Sequence, residues 1–192
     1  MIVYLHGFRS SPSSFKARLI AQRLQALGAA EAYHAPALPV CPEAALRTVE
    51  ALGPLGPTDT LIGSSLGGCL ATALAERHGC RAVLLNPAVR PAARMARYLG
   101  PQTMFHDPSL RFEWTQAHLD ALARIEVAAI TRPERYFLIA ATGDEVLDWR
   151  EMVDFYTGAE QRIIQGSDHG LSDFEDSVDA VLAFSGLGTP HP

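Results

Sequence analysis

Lysine is nearly absent from this chain of 192 residues. Fifteen of its 16 basic residues are arginine, and Lys16 is the single lysine. The basic residues are spread along the chain and outnumbered by 21 acidic ones, which gives a formal net charge of −5. A protein that binds nucleic acid needs a concentrated positive surface to neutralise phosphates. We therefore expect no nucleic-acid partner.

Long apolar runs are also missing. No stretch approaches the roughly 18 uninterrupted apolar residues of a membrane span, so we expect no membrane insertion. Residues 1–7 are too short for a secretory signal and lack its basic flank. The three cysteines, Cys41, Cys69 and Cys80, have neither a CxxC pattern nor a metal-ligand spacing. These absences predict a cytoplasmic protein with reduced cysteines and no metal site.

The composition is that of a folded domain. Apolar residues make up 48% of the chain and charged residues 19%, whereas a disordered chain is polar and rich in charge. A chain of this size buries about 70% of its surface on folding, which is enough for a central sheet covered on both faces. We expect a single domain over residues 1–192.

Short apolar runs alternate with segments of helical period, which predicts an α/β fold with a compact, mostly parallel sheet of about six strands. The predicted strands are 2–5, 32–35, 60–63, 82–85, 136–141 and 162–164, and the predicted helices begin near residues 14, 42, 66, 149 and 174. Between the strands 82–85 and 136–141 no convincing strand is visible. Helical periodicity around Leu119 and Leu122 predicts a helical, cap-like insertion at about 87–134.

The sharpest motif is Gly-Ser-Ser-Leu-Gly at residues 63–67, which has the pattern G-x-S-x-G with Ser65 at its centre. Small residues on both sides let a strand and the next helix approach closely, and the tight turn lifts the serine hydroxyl above the sheet. The N-terminus of the helix there favours developing negative charge. The strand predicted before the motif and the helix predicted after it give this context, so we interpret Ser65 as a nucleophile.

Two further candidates follow other predicted strands. Asp144 comes directly after the strand 136–141, and His169 comes directly after the last strand. The carboxyl ends of parallel strands meet at one edge of the sheet, so we expect Ser65, His169 and Asp144 to form a nucleophile, base and orienting acid. Asp148 and Glu145 are alternative acids. Asp144 is favoured because it is nearest to the end of the strand.

Acyl transfer also needs two N–H donors for the oxyanion. The backbone of Leu66, the residue after the nucleophile, is one candidate, and that of Phe8, in the loop after the first strand, is the other. His6 is expected to brace this loop. Arg9 lies in the same loop and is a candidate substrate contact. Such a mechanism needs no cofactor.

With these motifs the chain resembles the α/β-hydrolase superfamily and, more closely, the YqiA-like small bacterial esterases. The matching stretches are residues 4–8 with 10–12, 62–68, 85–91, 142–148 and 166–169, in the same order. The resemblance implies a three-layer α/β-hydrolase fold that omits the two N-terminal strands of larger hydrolases. It also implies esterase-type acyl hydrolysis with Ser65, Asp144 and His169 at the triad positions.

The insertion leaves alternatives open. Its aromatic residues, Tyr98 and Trp114 among them, either form an apolar acyl-binding wall or only pack the insertion on the body. Arg90, Arg94 and Arg97 are spaced to share one helix face, which is either solvated or a clamp for a phosphate-bearing substrate such as an acyl-CoA. Three functions follow: hydrolysis of a small-molecule carboxylic ester, acyl-CoA thioester hydrolysis, and non-catalytic binding in the same pocket. The oligomeric state is not indicated.

Overall fold

The computed structural model describes residues 1–187. Within them the strands are β1 (Ile2–Leu5), β2 (Tyr33–His34), β3 (Thr60–Ser64), β4 (Arg81–Leu85), β5 (Gly100–Thr103), β6 (Arg111–Trp114), β7 (Tyr136–Ala141) and β8 (Glu160–Ile164). The α-helices are α1 (Phe15–Ala26), α2 (Pro42–Glu50), α3 (Leu66–His78), α4 (Ala92–Met95), α5 (Gln116–Ile125), α6 (Trp149–Phe155) and α7 (Val178–Phe184). No helix in this part of the chain is both long enough and apolar enough to cross a lipid bilayer.

Six of the described strands form one parallel sheet in the order β2-β1-β3-β4-β7-β8. The predicted α/β fold with a parallel sheet of about six strands is therefore confirmed. Strand β3 lies between β1 and β4, and its last residue pairs in register with Leu85 at the end of β4. Because all six strands run the same way, the loops after β1, β3, β4, β7 and β8 leave the sheet at the same edge.

Helices cover both faces of this sheet. Alternate strand residues point to opposite sides. Tyr4, Ile62 and Phe137 belong to a buried cluster with α1 and α7, whereas Leu5 and Leu61 belong to a cluster with α2, α3 and α5. Strands β1 and β7 are buried on both sides, which explains why they read as continuous apolar runs.

The segment 87–134 is not purely helical, contrary to the sequence-based expectation. Besides α4 and α5 it contains an antiparallel hairpin in which β5 pairs with β6, with Gly100 opposite Trp114 and Thr103 opposite Arg111. The sequence Arg-Phe-Glu-Trp at 111–114 alternates polar and aromatic residues, as a strand with one buried face does. Four residues are too few for this period to stand out. The role of the segment as a cap stays a prediction.

Candidate active site

The turn between β3 and α3 holds Ser65 in a strained backbone conformation, with φ 54° and ψ −120°. The glycines of the motif permit this turn. A Cβ on Gly67 would overlap the carbonyl oxygen of Leu5, and a Cβ on Gly63 would overlap the backbone of Gly67. The strand and the helix are therefore in contact, as the motif predicts, and the Ser65 hydroxyl stands at the edge of the sheet.

Ser65, His169 and Asp144 form one chain of hydrogen bonds. The His169 Nε2 atom lies 2.9 Å from the Ser65 Oγ atom, and the His169 Nδ1 atom lies 2.8 Å from the Asp144 Oδ2 atom. The Asp144 side chain is fully buried, and its Oδ1 atom accepts the N–H groups of Val146 and Leu147, each at 2.8 Å. These two bonds fix the carboxylate so that its second oxygen faces the imidazole. A proton on Nδ1 leaves Nε2 free to accept from the serine.

The two alternative acids lie elsewhere. Asp148 caps the N-terminus of α6, where its Oδ1 atom accepts the Arg150 N–H at 2.9 Å. Glu145 accepts the backbone N–H of His169 at 3.0 Å. It therefore holds the loop that carries the imidazole and does not contact the ring. Among the three acids the geometry favours Asp144.

The loop after β1 passes directly over the nucleophile. A Cβ added to Gly7 would lie 3.2 Å from the Ser65 Cβ atom, so glycine allows this approach. Within residues 1–187, the N–H groups of Phe8 and Leu66 donate to no other protein group. Two free donors beside a serine hydroxyl are what an oxyanion hole requires.

His6 braces this loop from behind. Its Nδ1 atom donates to the Gly7 carbonyl at 3.0 Å, and its Nε2 atom accepts the Leu38 N–H at 3.2 Å. Both bonds fit the neutral ring, and burial lowers the pKa of His6, which favours the same form. The ring thus ties the loop at residues 6–9 to the loop at residues 38–40.

A cleft of about 180 Å³, called the apolar cleft below, opens beside Ser65 and His169. Its lining is mostly aliphatic and aromatic, and much of it comes from the segment 87–134: Phe8, Arg9, Ser65, Leu66, Ala88, Val89, Pro91, Arg94, Met95, Arg97, Tyr98, Phe105, Val146, Leu147 and His169. The predicted substrate contacts Arg9 and Tyr98 are both part of this lining.

Trp114 does not line the apolar cleft, and its prediction as a substrate contact is wrong. Its side chain is fully buried; it packs edge-on against the Phe8 ring at 5.0 Å between centroids and stacks on His118, also at 5.0 Å. The hairpin register turns this residue away from the cleft and into the core. Trp114 supports the wall of the cleft from below.

Arg9 fastens the loop after β1 to the hairpin. Its Nε atom donates to the Thr103 carbonyl at 2.6 Å, and its guanidinium carbon lies 4.3 Å from the centroid of the Phe105 ring. In return the Phe105 N–H donates to the Arg9 carbonyl at 2.8 Å. The guanidinium is therefore already engaged at the rim of the cleft.

The three arginines of the insertion do not share a helix face, contrary to expectation. Helix α4 ends at Met95 and a 3₁₀ turn follows, which breaks the i, i+4, i+7 spacing. Arg90 lies over the Phe155 ring at 5.8 Å, and Arg94 pairs with Glu151. Arg97 lies over the ring of its neighbour Tyr98. Arg94 and Arg97 both line the apolar cleft, whereas Arg90 does not, so the three arginines do not converge on one site.

Asn86, at the end of β4, is a site residue that the sequence-based reasoning did not single out. It is fully buried with a φ of 43°. Its Nδ2 atom donates to the carbonyl groups of Asp168 and His169 at 3.0 and 3.2 Å, and its Oδ1 atom accepts the Ala141 N–H at 2.8 Å. A buried amide thus joins the end of β7 to the loop that carries His169. The sequence feature that could have pointed to Asn86 is a single polar residue at the end of an apolar strand.

Solved structures of other proteins share this fold. Alpha/beta hydrolase domain-containing protein 10 from mouse aligns over 95% of this chain and 89% of its own, with a TM-score of 0.68 and 16% identity. A monoacylglycerol lipase from Paleococcus ferrophilus aligns over 97% of this chain and 94% of its own, with a TM-score of 0.65 and 17% identity. The carboxylesterase CesB from Bacillus subtilis aligns over 98% of this chain and 84% of its own, with a TM-score of 0.58 and 15% identity. At such identities the likeness establishes the fold alone.

The sequence also matches a family profile from residue 1 to residue 186. This match and the fold together confirm the resemblance to α/β hydrolases that the motifs at residues 4–8, 62–68 and 142–148 indicate. The chain belongs to the uncharacterised protein family UPF0227 and has the α/β-hydrolase fold.

Proposed function

We propose that this protein is a serine hydrolase that cleaves carboxylic esters of small molecules through an acyl-enzyme intermediate. One observation carries the proposal: the continuous hydrogen-bonded chain from Ser65 through His169 to the buried Asp144, beside two free N–H donors. Nucleophile, base, orienting acid and oxyanion donors are the four parts that acyl transfer needs.

The reaction has two halves. The Ser65 Oγ atom attacks the ester carbonyl carbon while the His169 Nε2 atom takes the hydroxyl proton. The charge that develops on the carbonyl oxygen is stabilised by the N–H groups of Phe8 and Leu66. When the intermediate collapses, the bond to the alcohol oxygen breaks and His169 gives its proton to the alcohol.

In the second half a water molecule loses a proton to His169 and attacks the acyl-enzyme. Collapse of the second intermediate releases the carboxylic acid and returns the proton to Ser65. Throughout, Asp144 keeps the imidazole in one tautomer and stabilises its charged form.

The apolar cleft supports an ester with an apolar acyl part. The apolar cleft begins at Ser65 and is lined mainly by hydrocarbon from Ala88, Val89, Met95 and Leu147. Each buried methylene contributes about 0.8 kcal/mol, so such a cleft favours acyl chains that fill it. Arg94 and Arg97 line the same cleft, but Arg94 is paired with Glu151 and Arg90 lies outside the cleft, so an ester is preferred to an acyl-CoA thioester as the substrate.

A fluorophosphonate probe tests the proposal most directly. We expect the wild-type protein to be labelled and to hydrolyse p-nitrophenyl butyrate. Ser65→Ala should remain folded, resist labelling and lose at least about 10³-fold in kcat, because the nucleophile is absent. Ser64→Ala is the matched control, since it removes the neighbouring hydroxyl and leaves the motif intact. A folded wild-type protein that the probe does not label would instead favour non-catalytic binding.

A further inference from the structure

The only lysine of the chain lies beside the candidate active site. Lys16, in the first turn of α1, is 8% exposed, and its Nζ atom donates to the carbonyl oxygen of Gly170, the residue after His169. It lines a second cleft of about 310 Å³ that also contains Ser65 and His169. An ammonium group therefore contacts the backbone of the loop that presents the imidazole.

The groups that face this ammonium are those of the site itself. The Asp168 and Asp144 carboxylates lie near enough to raise the pKa of Lys16, and the His169 ring and the Tyr4 phenol line the same cleft. Burial outweighs both carboxylates and lowers the pKa of Lys16 to about 8. The ammonium also sits at the N-terminal end of a helix, where the helix dipole disfavours a cation. Keeping Lys16 protonated in this position therefore lowers the free energy of unfolding.

The loop from residue 166 to residue 171 depends on such side-chain contacts. Ser167 and Leu171 have φ values of 58° and 52°, outside the regions that these residues prefer. Within residues 1–187 the carbonyl groups of Asp168 and His169 are held by Asn86, and the N–H of His169 by Glu145. The Lys16 ammonium adds a contact to the carbonyl of Gly170, the residue after His169. This ammonium is the one charged donor in the set.

We propose that Lys16 is a positioning residue of the active site, whose ammonium holds the His169 loop through the Gly170 carbonyl and balances the carboxylates of Asp144 and Asp168. The inference rests on the proposed function, because it assigns the base to His169. Loss of the ammonium proton weakens the bond to Gly170 and removes the positive charge beside two carboxylates. The imidazole then loses its alignment with Ser65.

The test measures kcat and KM for p-nitrophenyl butyrate from pH 6 to pH 10 in four proteins. In the wild type we expect kcat to fall above a midpoint near pH 8, where Lys16 loses its proton. Lys16→Met should lower kcat about 10- to 100-fold with little change in KM, because a misplaced base costs turnover, and the fall near pH 8 should disappear. Lys16→Arg keeps the charge and should move that fall beyond pH 10. Arg23→Met, which removes an exposed cation from the same helix, should behave as the wild type.

A second experiment follows the protonation of Lys16 by NMR and does not depend on turnover. With lysine labelled at its ε carbon, the wild-type protein gives a single lysine side-chain signal in a carbon NMR spectrum. That signal and the Gly170 carbonyl signal should titrate together near pH 8. If they titrate separately, or if Lys16→Met keeps the wild-type kcat or the wild-type alkaline fall, the positioning role is wrong. If instead no protein hydrolyses any ester, the proposed function fails, and the NMR experiment alone decides whether the charged contact exists.

Discussion

Residues with a positive φ that are not glycine gather around the candidate site. Among residues 1–187 they are Arg9, Ser65, Asn86, Arg90, Ser167 and Leu171, and all but Arg90 lie at Ser65 or in the loops that hold its partners. Each such conformation costs on the order of 1 kcal/mol or more and persists only where the surroundings enforce it. Strain of this kind is concentrated where the backbone must place a hydroxyl, two N–H groups and an imidazole together.

Asp144 and Asp148 give a sharp comparison at this scale. We expect Asp144→Asn to lower kcat for p-nitrophenyl butyrate by about 10³- to 10⁴-fold, because an amide favours the wrong imidazole tautomer. Asp148→Asn should cost less than threefold, because asparagine also caps helices well. Circular dichroism of both variants checks that the fold is retained. The opposite ranking of the two kcat values would move the acid role to Asp148.

The residues of the candidate site could be predicted where their positions follow from the local geometry of the chain. Ser65 follows from glycines that a tight turn requires, and Asp144 and His169 follow from their places after strands. Asn86 was not predictable in this way, because its role depends on carbonyl groups 82 and 83 residues away in sequence. Trp114 was misread for a related reason: hydrophobicity shows that a side chain is buried, but not whether it faces a cleft or the core beneath it.

At the scale of elements, the strands of the sheet were predictable and the hairpin was not. Strands β1 and β7 are continuous apolar runs, as expected for strands of a sheet that is covered on both faces. Strands β5 and β6 are as short as β1 but only partly buried, so they lack the apolar content by which β1 is recognised. A two-stranded hairpin is marginal by itself, so the packing of Phe112 and Trp114 against the Phe8 ring supplies the further stability that it needs.

Two aromatic residues of the insertion, Tyr98 and Trp114, are expected to affect different properties: Tyr98 the choice of substrate and Trp114 the stability of the fold. Tyr98 lines the apolar cleft, whereas Trp114 lies beneath it. We expect Tyr98→Ala to widen the cleft and move the optimum of kcat/KM, measured with p-nitrophenyl esters from acetate to decanoate, toward longer chains. Trp114→Ala should leave the optimum in place and destabilise the protein by about 3–5 kcal/mol in urea unfolding, because it creates a core cavity. A shift of the optimum with Trp114→Ala and none with Tyr98→Ala would contradict this division.

At the scale of the whole molecule, buried ionisable groups set the alkaline stability. The folded pKa of Lys16, about 8, lies below its ordinary value of 10.5, so between these values the unfolded chain holds a proton that the folded chain has lost, and stability rises with pH. Burial raises the pKa of the Cys69 and Cys80 thiols to about 12 and 11. Above pH 9 the unfolded chain therefore loses protons that the folded chain keeps, and stability falls.

We therefore expect the free energy of unfolding, measured in urea by tryptophan fluorescence, to reach its alkaline maximum near pH 9. Lys16→Met should be more stable than the wild type at pH 7, since it removes a costly buried charge, and its stability should not rise between pH 8 and pH 9. Arg23→Met again serves as the control and should keep the wild-type rise. Parallel curves for the wild type and Lys16→Met would show that the lysine is not buried as described.

The hairpin formed by β5 and β6 is hydrogen-bonded to the loop that carries the proposed oxyanion donor. The hydrogen bond from the Phe105 N–H to the Arg9 carbonyl and the guanidinium bond from Arg9 to Thr103 join the hairpin to the residue next to Phe8, the proposed oxyanion donor. Any outward swing of the hairpin would pull that donor away from Ser65. Under the proposed function, a substrate that pushes the hairpin outward would therefore also displace the Phe8 N–H from the carbonyl oxygen. If the proposed function holds, new chain-length preferences have to come from exchanging side chains along the cleft walls, because moving the hairpin would also move the Phe8 N–H.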